Sequence, residues 1–158
     1  MGRVTQISIS QGGVPKTPIS EAVVTINGIV GDRQADLRYH GGPDRAVCLW
    51  SHEVIEQLRQ EGHPLGAGSA GENITITGID WNHLIPGTRL QIGHSLTLKI
   101  TDYAPPCRTI AHCFSDRRSH RINQEQFPGQ SRLYACVLAE GTIYPNDLVQ
   151  PLVDAKIS

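Results

Sequence analysis

Apolar and polar positions alternate in short stretches along the chain, and each stretch predicts a strand. Val4, Ile7 and Ile9 mark the first, and Ala22-Val23-Val24-Thr25-Ile26 the second; both are rich in β-branched residues and bounded by Gly or Pro. Ala46-Val47-Cys48-Leu49-Trp50 is a continuous apolar run, and Asn73-Ile74-Thr75-Ile76-Thr77 has the period of two that a half-buried strand requires. Arg89-Leu90-Gln91-Ile92, a turn at Gly93-His94 and the alternating Leu96, Leu98 and Ile100 make a hairpin. Leu133 to Leu138 reads as a late strand followed by a turn at Glu140-Gly141. One stretch has helical spacing instead: Ser51 stands as N-cap, Val54, Ile55 and Leu58 share a face, and Gly62 is placed to end it. Thr109 to Phe114 is expected to form one helical turn or two.

Gly31 to Arg45 breaks this texture. The run GDRQADLRYHGGPDR is dense in charge and glycine and lacks apolar periodicity, so it reads as a long functional loop. Sixteen glycines and ten prolines against 5% aromatics fit many turns between short elements. With no repeat or linker in its 158 residues, the chain is expected to be one domain, residues 1–158, mainly β, a closed or nearly closed barrel with a few short helices. Closure would also remove exposed strand edges.

A net charge of -1 gives the chain no overall bias toward nucleic acid or membrane surfaces, so a small-molecule partner is expected. The four cysteines show no C-x-x-C pair, which fits a reducing compartment, and no apolar stretch near the N-terminus is long enough for a signal or a membrane span. A cytoplasmic protein is the expectation. There is no G-x-G-x-x-G fingerprint and no cysteine set for an iron–sulfur cluster, so electrons for any redox reaction would come from elsewhere.

Four clusters carry candidate chemistry: Gly31-Asp32, His40-Gly41-Gly42, Gly71-Glu72-Asn73 and Pro106-Cys107-Arg108. Glycines admit close backbone approach and the polar neighbours offer hydrogen bonds, so together they can frame one polar cleft, although glycines of this kind also simply make turns. In Tyr103-Ala104-Pro105-Pro106-Cys107-Arg108, two prolines stiffen the approach to a thiol and a cation beside it favours the thiolate, the form that attacks or binds a soft metal. His40 either meets a cofactor or shuttles a proton, or braces its own loop. Glu72 is expected to brace the cysteine loop before it acts on protons, and Asn73 to orient a ligand. Cys48 and Cys136 lie in apolar strands and read as core; Cys113 beside His112 fits no common zinc spacing. The basic run Arg117-Arg118-Ser119-His120-Arg121 is either a solvated loop or a landing place for an acidic electron donor or a phosphate.

The segments GDRQADLRYHGGPDRAVCLWSHEVIEQL, GSAGENITITGIDW, IPGTRLQIG, APPCRTIA and PGQSRLYACVL, in that order over roughly residues 30 to 139, resemble the MOSC domain, named for the C-terminal domain of molybdenum-cofactor sulfurases. The resemblance implies a barrel like that of the pyruvate kinase barrel domain, with Cys107 at its mouth. It implies that Cys107 binds the molybdenum of a pterin cofactor, molybdopterin, or carries sulfur as a persulfide, and that Arg108, Arg38, Arg45 and Arg132 are placed to meet the cofactor's phosphate. Asp32, His40, Gly41, Gly42, Arg45, Glu72 and Asn73 join Cys107 and Arg108 as the cofactor-binding set, with Cys107 and His40 in the catalytic roles. Similar enzymes reduce N-hydroxylated compounds with electrons from a flavin or iron–sulfur reductase. The alternative is a sulfur carrier, independent of pyridoxal phosphate, that is loaded by a cysteine desulfurase and serves cofactor or metal–sulfur cluster assembly. One departure stands at Pro145-Asn146-Asp147, where many relatives carry Gly-Asp; that corner is expected to be locally altered.

Overall fold

The computed structural model describes residues 2–33 and 42–153. Its strands are β1 (Gly2–Ile9), β2 (Thr17–Ile19), β3 (Ala22–Thr25), β4 (Gly28–Ile29), β5 (Val47–Ser51), β6 (Ile74–Thr77), β7 (Arg89–Ile92), β8 (Leu96–Ala104), β9 (Arg132–Ala139), β10 (Gly141–Ile143) and β11 (Leu148–Leu152), with one α-helix, α1 (His52–Gln60), among the described residues. Seven strands close into a ring in the order β1-β6-β5-β9-β8-β7-β11, and β11 returns to β1 through Gly2↔Val149 and Arg3↔Leu148. The expected closed barrel is the architecture found. β2 extends the far end of β1, and β10-β3-β4 form a small separate sheet.

A ring with an odd number of strands cannot alternate direction all the way round, so one neighbouring pair must be parallel. That pair is β5–β6; the other six junctions are antiparallel. Parallel neighbours need a crossover rather than a hairpin. The crossover consists of α1 and the loop from residue 61 to residue 73. The Ser51 side chain caps α1 by accepting the Val54 amide at 3.2 Å, and Gly62 leaves it at φ 99, a conformation that L side chains resist, so the predicted start and stop both hold.

Strand alternation sorts the side chains into two compartments. Val47 and Leu49 of β5, Leu96, Leu98 and Ile100 of β8, and Leu133 and Ala135 of β9 point into the barrel and belong to its apolar core. The intervening Cys48, Trp50 and Tyr134 face outward. Trp50 there meets Val54, Ile55 and Leu58 of α1, together with Ile110, Cys113, Phe114 and Ile122 from the segment after β8. The crossover and that segment therefore roof the outer face of β5 and β9 with a second core.

Four strands were not anticipated, among them β11, which closes the ring. β2 and β4 are too brief to show a period, and Gly141, read as a turn, opens β10, paired with β3. Cys136, read as core, is only half-buried, because the roof does not extend that far along the outer face of β9. Asn146 adopts φ 75; Asn tolerates this left-handed region better than most side chains, so the corner at Pro145-Asn146-Asp147 makes a tight turn, with the Asn146 amide donating to the Val4 carbonyl at 2.7 Å.

Candidate functional site

Cys107 lies just past the end of β8, at the edge of the roof's core. Ala104 ends the strand, Pro105 and Pro106 carry the chain away from the sheet, and Cys107 is extended (φ -131, ψ 172) ahead of a 3-10 turn over Arg108–Cys113. Its carbonyl accepts the Ile110 amide at 3.3 Å and the Ser119 hydroxyl at 3.2 Å. The side chain is half-buried, and among the described residues its sulfur makes no hydrogen bond. Cys113 differs: it is buried, its thiol donates to the Ser69 carbonyl at 3.2 Å, and burial raises its pKa. Burial likewise pushes the Cys48 thiol up to about 11. His112 approaches Cys113 at 3.6 Å, and among the described residues no three His, Cys, Asp or Glu side chains are grouped to hold a metal ion.

Arg132 fixes the approach to Cys107. It is 4% exposed, and its two terminal nitrogens donate to the Ala70 carbonyl at 2.7 Å and the Pro105 carbonyl at 3.0 Å, which ties the crossover loop to the cysteine loop. The sequence assigns this arginine to a phosphate; the structure spends it on backbone carbonyls. Glu72 is fully buried, and burial pushes its carboxyl up to about 7, against the pull of the nearby Gly68 and Glu72 amides and the Arg132 guanidinium. Glu72 Oε1 and Arg132 Nε are both buried without a hydrogen-bond partner.

Asp32 and Asn73 meet in a second buried network. Asn73 Oδ1 accepts the Cys48 amide at 3.0 Å, while its amide nitrogen donates to the Ser8 carbonyl at 3.2 Å and to Asp32 Oδ2 at 2.9 Å. The same Asp32 oxygen accepts Lys16 Nζ at 2.7 Å, with both side chains almost wholly buried. Sequence reasoning passed over Lys16. The only available signal was a lone cation among Val14, Pro15, Thr17 and Pro18. Its backbone is fixed as well, since the Lys16 amide donates to the Gly68 carbonyl at 2.9 Å, and at Gly68 (φ 85) an added Cβ would collide with the Lys16 carbonyl oxygen. Asp32 and Asn73 therefore brace the crossover to β1, with their polar atoms already engaged.

His40 and Gly41, with Asp36 and Arg38, lie outside the described residues. Gly42 (φ 81) is exposed and opens the 3-10 turn Pro43–Arg45. Arg45 lays its guanidinium 5.0 Å from the centre of the Tyr134 ring. Burial pushes the Tyr134 hydroxyl up to about 12. An open groove of about 610 Å³ is lined by Asp44, Arg45, Gly87, Lys99, Thr101 and Asp102, and the Thr101 hydroxyl donates to the Asp44 carbonyl to hold its wall. Arg108 is exposed next to Cys107. Of the predicted set, Cys107, Arg108 and Arg45 thus face accessible space, Glu72 lies beneath with Arg132, and Asp32 and Asn73 serve as braces.

A model of the MOSC domain matches residues 36–150, and the chain belongs to that family. It is 30% identical over 135 residues to the uncharacterized protein YflK of Bacillus subtilis (strain 168), spanning 84% of this chain and 60% of that protein. It is 29% identical over 148 residues to the protein YiiM of Escherichia coli (strain K12), spanning 87% of this chain and 63% of YiiM. The chain thus covers less than two thirds of the length of both relatives. Among solved structures, YiiM from Geobacillus stearothermophilus shares the fold at a TM-score of 0.70 and 22% identity, over 97% of this chain and 76% of that one. The YUAD protein from Bacillus subtilis does so at a TM-score of 0.75 and 16% identity, over 94% of each chain. No helix among the described residues is long and apolar enough to cross a membrane.

Proposed function

We propose that this chain binds molybdenum cofactor with Cys107 as the metal's protein ligand, and that it takes part in reducing N-hydroxylated compounds with electrons from a separate flavin or iron–sulfur reductase. The observation that carries the reading is the Cys107 sulfur itself: half-buried, without a hydrogen-bond partner among the described residues, and on a loop held by Arg132 and Ser119. Membership of the MOSC family supports it. The donor set fits such a group, since a soft, accessible thiol suits a sulfur-bound molybdenum, and the exposed Arg108 and the Arg45–Tyr134 stack offer cations to a phosphate.

When bound, the cofactor supplies a two-electron couple. In the overall reaction the N–O bond breaks, and two electrons from the donor and two protons convert the N-hydroxyl to N–H and water. Arg132 and Ser119 keep the cysteine loop in place, and the roof over β5 and β9 shields its inner side from water. His40 keeps the role of proton donor to the leaving hydroxyl.

The test is a metal and pterin assay on protein purified from a cofactor-competent host, beside a Cys107→Ala control. Molybdenum and pterin in the natural chain alone, with reduction of an N-hydroxylated base only when an electron donor is added, is the expected result. Equal contents in both sink the proposal. A single added sulfur on Cys107 after incubation with a cysteine desulfurase, with no metal held, replaces it with the carrier role.

A further inference from the structure

The basic run after Cys107 is anchored more firmly than a solvated loop requires. Arg121 pairs with Glu61 at the end of α1 through two contacts, at 3.0 and 2.7 Å, and stacks over the Phe127 ring at 4.5 Å. At the other end, Ser119 donates its hydroxyl to the Cys107 carbonyl at 3.2 Å. Between these anchors and the end of the preceding 3-10 turn, Asp116 accepts the Arg118 amide at 3.0 Å, and the Arg117 amide donates to the Phe114 carbonyl at 3.0 Å. Arg117 takes φ 63, a left-handed conformation uncommon for residues other than Gly, Asn and Asp. The anchors keep the turn's shape while Arg117 and Arg118 stay exposed, and among the described residues neither forms an ion pair.

The charge is concentrated here. Residues 108 to 120 hold three arginines and two histidines against the single Asp116, in a chain whose net charge is -1, while Arg121 is already paired with Glu61. A fixed local field of one sign on a near-neutral molecule steers an oppositely charged partner to that face and sets its orientation.

We propose that the turn carrying Arg117 and Arg118 is the docking surface for an acidic electron-donor protein serving the Cys107 site. The inference rests on the reductive function proposed above for its partner's role, but the surface can be tested without turnover. The cationic tip formed by Arg117 and Arg118 has no interleaved exposed aromatic ring on which bases would stack, which favours a protein over a nucleic acid.

The probe is a strongly acidic FMN-containing flavoprotein of the flavodoxin type, titrated onto the chain as purified, at low and at high salt. Charge reversal in Arg117→Glu/Arg118→Glu is expected to weaken binding about tenfold at low salt, with the difference fading as salt screens the contact. The neutral Arg117→Gln/Arg118→Gln pair should fall between. Unchanged thermal unfolding of both variants separates docking from folding. Where the chain holds molybdenum, reduction driven by the flavoprotein should fall with the variants, while reduction driven by reduced methyl viologen should not. Failure of the metal assay would overturn the reductive function and leave the binding result standing. The docking proposal is overturned if the flavoprotein does not bind, if binding ignores salt or both arginines, or if a single-stranded oligonucleotide binds more tightly with the same arginine dependence.

Discussion

The barrel interior and the roof over β5 and β9 exclude water equally well, but with different contents. Inside the ring, side chains such as Leu98, Ile100 and Leu133 are aliphatic and contribute through packed area. Under the roof and along the base of the crossover, Glu72, Asn73, Arg132, Lys16 and Asp32 have buried side chains; those of Asn73, Arg132 and Asp32 hydrogen-bond to backbone groups of distant segments, and Lys16 pairs with Asp32. Aliphatic packing tolerates a change of volume by partial relaxation, whereas a buried charge deprived of its partner has no such outlet. The barrel supplies a rigid wall, and the polar roof sets the position of one loop on it.

Removing the Arg132 guanidinium is the sharpest way to break that division. Arg132→Met frees the Ala70 and Pro105 carbonyls and leaves Glu72 without its nearby cation, so unfolding in urea should show a loss of about 3–5 kcal/mol. Alkylation of Cys107 by iodoacetamide in the folded protein should also accelerate. Leu98→Ala, in the barrel, should cost about 2–5 kcal/mol by the same measurement and leave the Cys107 alkylation rate unchanged. Equal changes in alkylation for both variants would erase the distinction between wall and roof.

Glu72 offers a gentler test through pH. Its folded-state value of about 7 lies above its ordinary 4.5, so the folded protein holds this proton longer than the unfolded chain does. The stabilisation it contributes is complete below about pH 4.5 and is lost as pH rises through 7. Glu72→Gln should therefore gain on the natural chain by on the order of 1 kcal/mol per pH unit between about pH 5 and 7, read from unfolding curves across that range. A gap that does not vary with pH would place the proton elsewhere. The smallest effect is expected from Ser119→Ala, which removes one hydrogen bond to the Cys107 carbonyl and should cost about 0.5–1.5 kcal/mol in the same assay.

These two compartments were not equally legible in the sequence. The period of two at Ile74, Ile76, Leu96, Leu98 and Ile100 announces the inward face directly, and Ser51 and Gly62 announce both ends of α1. The roof is a property of contacts between remote segments. Nothing near Arg132 tells that the outward face of β9 is covered there, so a buried clamp reads as a cation for a phosphate; four residues on, Cys136 lies past that cover and is half-buried although it reads as core. Lys16 and Asp32 become partners only once the chain has folded back, and neither carries a local pattern that names the other. Cys107 itself was readable because prolines and an arginine surround it, but its place at the edge of the roof's core depends on remote segments, α1 and the residues after β8, that pack there.

The ring is fastened at one seam, where Gly2 and Arg3 of β1 meet Val149 and Leu148 of β11. Every other junction in the ring joins segments much closer in sequence, so this one closes the longest loop and gains from contacts that the others have already organised. Counted along the chain, the seam is the longest stitch: β7, β8 and β9 pair within one stretch of sequence, while the β1–β11 pairing spans nearly all the described residues.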